Sequence, residues 1–81
     1  MNPFEEAQTW LRSRKGAYLA VFQGPRANEV LKDLARFCRA HESTADSDPY
    51  VAARLEGRRE VFLRIQQHTQ LTNDQLWQLL K

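Results

Sequence analysis

Residues 25–41 read PRANEVLKDLARFCRAH, and this stretch decides the fold that the sequence predicts. Its apolar side chains recur every three or four residues, which is the spacing of one face of an α-helix. Charged side chains occupy the opposite face, as on a helix that packs against a core. We therefore predict an amphipathic helix over residues 25–41. Its apolar face comprises Ala27, Val30, Leu31, Leu34, Phe37, Cys38 and His41.

Start and stop signals divide the rest of the chain into three more helices. Asn2-Pro3 and Asp48-Pro49 each place a capping side chain before a proline, which favours the first turn of a helix. Gly24-Pro25 separates the first helix from the second. Thr72 and Gln75 form the pattern of a capping box. The predicted helices span residues 3–22, 25–41, 49–69 and 72–81, with a polar, acidic loop over 42–48.

Length and composition limit the chain to one small core. The chain has 81 residues, 42% of them hydrophobic, and a second core would need roughly twice that length. No stretch alternates polar and apolar residues over the length of a β-strand. We predict a single domain over residues 1–81 with an all-α fold, a compact small bundle of about four helices joined by short loops. A large multi-step enzyme is excluded.

The residues that support catalysis or metal binding are few. One cysteine and two histidines cannot complete a tetrahedral zinc site made only of Cys and His. Cys38 and His41 are three residues apart on a helix, but both lie on its apolar face, where a thiol packs as a small hydrophobe. The sequence also has no glycine-rich phosphate loop. We expect no catalytic residue, no metal site, no cofactor and no enzymatic activity.

The charge pattern does not favour binding to nucleic acid. The formal net charge is only +2, and Lys32, Arg36 and Arg39 form a short basic strip as the candidate anion-binding surface. Glu29 and Asp33 share the exposed side of the same predicted helix, so solvated ion pairs account for the strip. We expect any affinity for nucleic acid to be weak and non-specific, with a DNA-binding regulator as an alternative function.

Nothing in the sequence predicts contact with a membrane. The longest apolar run covers residues 17–22, whereas a helix needs about 20 apolar residues to cross a bilayer. The first residues do not form a signal-peptide pattern. We expect a cytosolic protein.

Residues 56–60 read EGRRE and lie within the third predicted helix. Helical projection places Arg58 on the apolar arc with Phe62 and Ile65. A buried, unpaired guanidinium would cost on the order of several kcal/mol, so we predict an ion pair with a carboxylate. Anion binding and contact with a partner protein are the alternatives. Asp33 is the candidate partner, and the other carboxylates considered are Glu42, Asp46 and Asp48.

The last predicted helix has more apolar side chains than one narrow buried stripe requires. Leu76 and Leu80 share a face, while Trp77 and Leu79 lie to either side of it. We predict that Trp77, helped by Leu79 or Leu80, docks on a neighbouring protein or a second copy, with simple core packing as the alternative. On the docking hypothesis, removing the chain from Thr72 onward abolishes association and leaves the other helices folded.

Several segments, taken in their order along the chain, resemble one family of small phage proteins. They are VLKDLARFC at 30–38, Asp48-Pro49, EGRREV at 56–61 with the continuation to Ile65, and Leu71-Thr72. The sequence is similar to the short phage and prophage proteins related to Bordetella phage Bbp-nineteen. The resemblance covers roughly Tyr18 to Leu76.

The resemblance implies a setting for the protein. Members of that family are generally encoded among the virion-assembly genes of tailed phages and have no established enzymatic role, so no catalytic residue is carried over. It implies a small structural or accessory protein in the virion or the host cytoplasm, binding a virion or assembly protein or a second copy of itself. A DNA-binding regulator and an inhibitor that docks on a host protein are the competing functions.

Overall fold

The computed structural model describes residues 2–81, which form four α-helices and no β-strand. The predicted all-α bundle of four helices is therefore confirmed. Three of the helices begin and end within one residue of their predicted limits. The helices are α1 (Pro3–Val21), α2 (Pro25–Phe37), α3 (Pro49–Thr69) and α4 (Asn73–Leu80).

Capping side chains explain why three of these helices start where the sequence predicts. The Asn2 side chain accepts the backbone N–H of Glu5 at 2.8 Å, and Asp48 plays the same role at the start of α3. At α4, Thr72 Oγ1 accepts the Gln75 N–H at 3.1 Å, and Gln75 Oε1 accepts the Thr72 N–H at 2.9 Å. These bonds satisfy backbone donors that the first turn of a helix leaves unpaired.

The second helix ends at Phe37, so the predicted extension to His41 is wrong. Arg39 has a φ of 53°, in the left-handed region, and reverses the chain direction. The Ala40 N–H then donates to the Ala35 carbonyl oxygen at 2.9 Å, a bond that closes a helix end. The apolar spacing continues past this point, but the backbone no longer follows a helix.

The core lies between α2, α3 and α4. The fourth helix packs mainly against α2, and α1 packs against α3. The first helix has no buried side chain, but the half-buried Tyr18 within it and Phe22 directly after it contact the core. The buried cluster consists of Leu31, Ala35, Cys38, Phe62, Ile65 and Leu76.

The N-terminal half of α1 extends beyond the bundle. Residues 2–13 are exposed without exception, whereas Tyr18 stacks on His68 of α3 with ring centroids 4.7 Å apart. The longest dimension of the molecule is 51 Å, and α1 contributes about 28 Å of helix. The first turns of α1 thus present a helix surface that no other element covers.

Gln70, at the end of α3, gives a prediction about stability. Its φ of 56° is left-handed, which costs a non-glycine residue about 1 kcal/mol. We expect Gln70→Gly to raise the free energy of unfolding by about 0.5 kcal/mol, because glycine's greater freedom in the unfolded chain offsets part of the relief. Urea denaturation measures the change.

Gln67→Gly is the matched control, because Gln67 is exposed within α3 and has a helical backbone. It should lower the free energy of unfolding by about 1 kcal/mol. Destabilisation of similar size by both substitutions would show that the left-handed end carries no strain.

Candidate partner-binding surface

Residues 56–60 of α3 hold the segment that connects α2 to α3. Glu56 accepts a hydrogen bond from the buried hydroxyl of Thr44. Arg59 Nη1 donates to the backbone oxygen of Glu42 at 3.3 Å. The turn after α2 is thereby attached to α3 at two points.

Arg58 makes a different contact from the predicted one. Its guanidinium carbon lies 4.3 Å from the ring centroid of Phe37, at the end of α2. Within residues 2–81 the one ion pair is Arg26–Glu29, so the predicted pair between Arg58 and Asp33 is not formed. Arg58 is half-buried and keeps contact with water, and the face of an aromatic ring attracts a cation. A carboxylate partner is therefore not required.

Loss of the Glu56 acceptor should destabilise the protein. We expect Glu56→Ala to lower the free energy of unfolding by about 1–3 kcal/mol, because the Thr44 hydroxyl is left buried without an acceptor. Glu60→Ala is the control, since Glu60 is exposed on the same helix, and it should change the free energy by no more than about 0.5 kcal/mol. Urea denaturation compares the two, and equal effects would assign no structural role to the Thr44–Glu56 bond.

Trp77 is the exposed aromatic side chain of α4. It is 56% exposed, and its ring meets the ring of His41 edge-on, with centroids 5.2 Å apart. His41 belongs to the turn after α2, so the contact joins α4 to that turn. Leu76, the preceding residue, is only 1% exposed and holds α4 in the core. The exposed indole thus stands on a helix with a fixed position.

Leu79 and Leu80 do not share this exposure. Both are half-buried and pack against the core cluster, so of the three predicted docking residues Trp77 alone is mainly exposed. The expectation that the rest of the chain folds without α4 conflicts with this arrangement, because Leu76 is part of the core. One helix therefore supplies both core packing and an exposed aromatic side chain.

The predicted basic strip is interrupted. Lys32 is half-buried and Arg36 is exposed, both on α2. Arg39 lies beyond the helix, where its Nη1 donates to the backbone oxygen of Ser43 at 3.3 Å. The three cations therefore do not line one helix face. Weak, non-specific affinity for nucleic acid stays a prediction.

Cys38 and His41 lie in different environments. Cys38 is 4% exposed within the core, whereas His41 is exposed and contacts Trp77. Burial raises the pKa of the Cys38 thiol, and the charge of Arg58 partly opposes that rise. The described part of the chain contains no group of three or more His, Cys, Asp or Glu side chains placed to hold a metal. Over the same residues, no helix combines the length and apolar character needed to cross a membrane.

The buried thiol predicts a dependence of stability on pH. The pKa of Cys38 in the folded protein lies above its ordinary value of 9.0. The un-ionised thiol therefore contributes fully to the free energy of unfolding below about pH 9, and this contribution is lost as the pH rises further. Above that value the free energy of unfolding should fall by up to about 1.4 kcal/mol per pH unit from this group. Urea denaturation at neutral and alkaline pH measures the slope.

Cys38→Ala is the control for this titration. It removes the thiol and leaves every other ionisable side chain of the protein unchanged. The stability difference between the two proteins should shrink as the pH rises above 9. A difference that stays constant would assign the alkaline slope to other groups.

The comparisons with known proteins agree with the resemblance seen in the sequence. A family model described as Bbp19-like phage protein matches residues 18–81, well over half of the chain. The match includes α2, α3, α4 and the last turn of α1, and it extends to Lys81, beyond the predicted limit at Leu76. The resemblance to the Bbp-nineteen family is thus confirmed. No curated protein and no solved structure matches the chain.

Proposed function

Because the chain belongs to the family of Bbp19-like phage proteins, we propose that it is a non-enzymatic structural or accessory component of the virion or of its assembly. It acts by binding another phage protein. The observation that carries this proposal is the exposed Trp77 on α4, a helix whose other side packs in the core. Large aromatic side chains held in this way are the residues that most often dominate binding at protein interfaces.

The surroundings of Trp77 also suit protein binding. The edge contact with His41 restricts the indole before any partner arrives, which lowers the entropy lost on binding. Phe37, the last residue of α2 before this turn, is also exposed and has Arg58 over its ring. Aromatic and arginine side chains are enriched at interfaces. The matching partner surface has an apolar pocket for the indole and a carboxylate near Arg58.

A phage inhibitor of a host protein would use the same side chains, so location separates it from an assembly role. A DNA-binding regulator has less support, because Lys32, Arg36 and Arg39 do not line one face. Quantitative mass spectrometry of purified virions and of precursor particles tests the proposal. We expect a fixed number of copies per particle in at least one of the two.

The major capsid protein calibrates the copy number, and an abundant host protein measures carry-over from the cytoplasm. Absence from both kinds of particle, at the carry-over level, would overturn the proposed role. In that case recovery of the protein in complex with a host protein would favour the inhibitor.

A further inference from the structure

Glu6, Trp10 and Arg14 form a ridge along the exposed half of α1. They are four residues apart, so each lies one helical turn from the next. Trp10 is 60% exposed, and the guanidinium carbon of Arg14 lies 4.7 Å from its ring centroid. The ridge therefore reads acid, aromatic, base from the N-terminal end. It lies outside residues 18–81, the part matched by the family model.

Both ends of the ridge lack an ionic partner. Arg14 Nε is buried and has no hydrogen-bond acceptor in the described structure. Glu6 is exposed and forms no ion pair within residues 2–81. Eight residues of helix place Glu6 about 12 Å from Arg14 along the axis, too far for a pair within one chain. Neither charge is thus neutralised by an ion pair within the described residues, and the exposed Glu6 carboxylate is accessible to a second molecule.

Apolar side chains run beside the ridge. Phe4 is 70% exposed, and Leu11 and Ala7 are also exposed on neighbouring positions of α1. Farther along α1, Ala17 and Val21 lie in line with Trp10 and Arg14, and they line an apolar groove of about 420 Å³ between α1 and α3. An exposed apolar stripe flanked by charge is typical of a helix face that another helix covers.

We propose that two copies of this chain associate through antiparallel α1 helices, with the two-fold axis at Trp10. Reversing the ridge places Glu6 of each copy against Arg14 of the other and brings the two Trp10 rings together. A parallel pair in register would instead place like charges side by side. The acid, aromatic, base order is thus self-complementary under two-fold symmetry, as an isologous interface requires.

The same alignment also brings the apolar side chains that flank the ridge toward each other. Ala7 and Leu11 lie on the same flank of the ridge, so Ala7 of each copy lies near Leu11 of the other. The paired segments are only a few turns long, so the buried surface is small and the dimer is weak, with a dissociation constant in the micromolar range. This surface is separate from Trp77, so self-association and binding of a phage partner are independent.

Charge reversal tests the proposed dimer. Sedimentation velocity of the full chain over a range of concentrations gives the dissociation constant of the unmodified protein, of Glu6→Arg, of Arg14→Glu and of the double variant. Each single substitution opposes like charges across the two-fold axis and should raise the dissociation constant at least about tenfold. The double variant restores opposite charges and should return to within about threefold of the original value.

Glu5→Arg is the matched control, because it makes the same charge change in the first turn on a different side of α1. It should change the dissociation constant less than threefold, which corresponds to less than about 0.7 kcal/mol. Trp77→Ala should also leave the dimer intact. Circular dichroism establishes that each variant keeps its helices, since all these side chains are exposed or half-buried.

Three results would overturn the proposal. One is a monomer at every concentration, and another is a dimer that Glu6→Arg leaves unchanged. The third is a double variant as weak as the single ones, because this would show that Glu6 and Arg14 do not meet across the axis.

Discussion

Deletion of residues 72–81 is expected to unfold the protein. This segment supplies Leu76, which is 1% exposed in the core, and the half-buried Leu79 and Leu80. Burial of a leucine contributes about 1.5–3 kcal/mol, and the total stability of a chain of this size is about 4–12 kcal/mol. Loss of these contacts removes most of that stability. Circular dichroism of the truncated chain should show a large loss of helix and no cooperative thermal transition.

Leu76→Ala in the full chain separates the loss of packing from the loss of chain length. It should keep the helices but lower the free energy of unfolding by about 2–5 kcal/mol. Removal of the exposed Lys81 alone should leave stability unchanged within about 0.5 kcal/mol. A truncated chain that melts cooperatively near the temperature of the full chain would show that α4 is an appendage and that the first helices fold without it.

Helix starts could be predicted from the sequence because their causes are local. Asn2 before Pro3, and Thr72 three residues before Gln75, determine the first turns through bonds within a few residues. Apolar spacing placed Leu31 and Phe62 on inward faces, where the structure has them buried. These signals need no knowledge of what the helix packs against.

The end of α2 could not be predicted in this way. Left-handed helix ends are usually signalled by glycine, but here Arg39 adopts that conformation. The turn that follows Arg39 is attached to α3 by contacts from elsewhere in the chain, including the bond between Arg59 and the backbone oxygen of Glu42. A local pattern does not contain such long-range contacts. The apolar spacing therefore predicted a helix to His41, four residues beyond its end at Phe37.

The candidate site was predictable only in part, for the same reason. Helical projection indicates that Arg58 lies near the apolar arc, but only tertiary structure shows that Phe37 rather than Asp33 meets its guanidinium. The face of α4 that enters the core is set by packing on α2. That packing leaves Trp77 exposed and half-buries Leu79 and Leu80, a distinction that four closely spaced apolar residues do not reveal.

The second large effect expected is on assembly. Trp77→Ala should weaken binding to the phage partner by at least about thirtyfold, because truncation of a central aromatic anchor typically costs 2 kcal/mol or more. The fold should survive, since Trp77 is mainly exposed and loses one edge contact with His41. That contact is worth about 1 kcal/mol, so the free energy of unfolding should fall by no more than this amount.

The number of copies per phage particle measures this effect most directly. Particles are purified from cells in which the phage gene is replaced by the original, Trp77→Ala or Val61→Ala version, and isotope-labelled peptides count the copies by mass spectrometry. Val61 is an exposed apolar residue of α3 and serves as the control. Particles should contain the original and Val61→Ala proteins in equal number and little or no Trp77→Ala protein. Equal incorporation of all three would contradict a partner-binding role for Trp77.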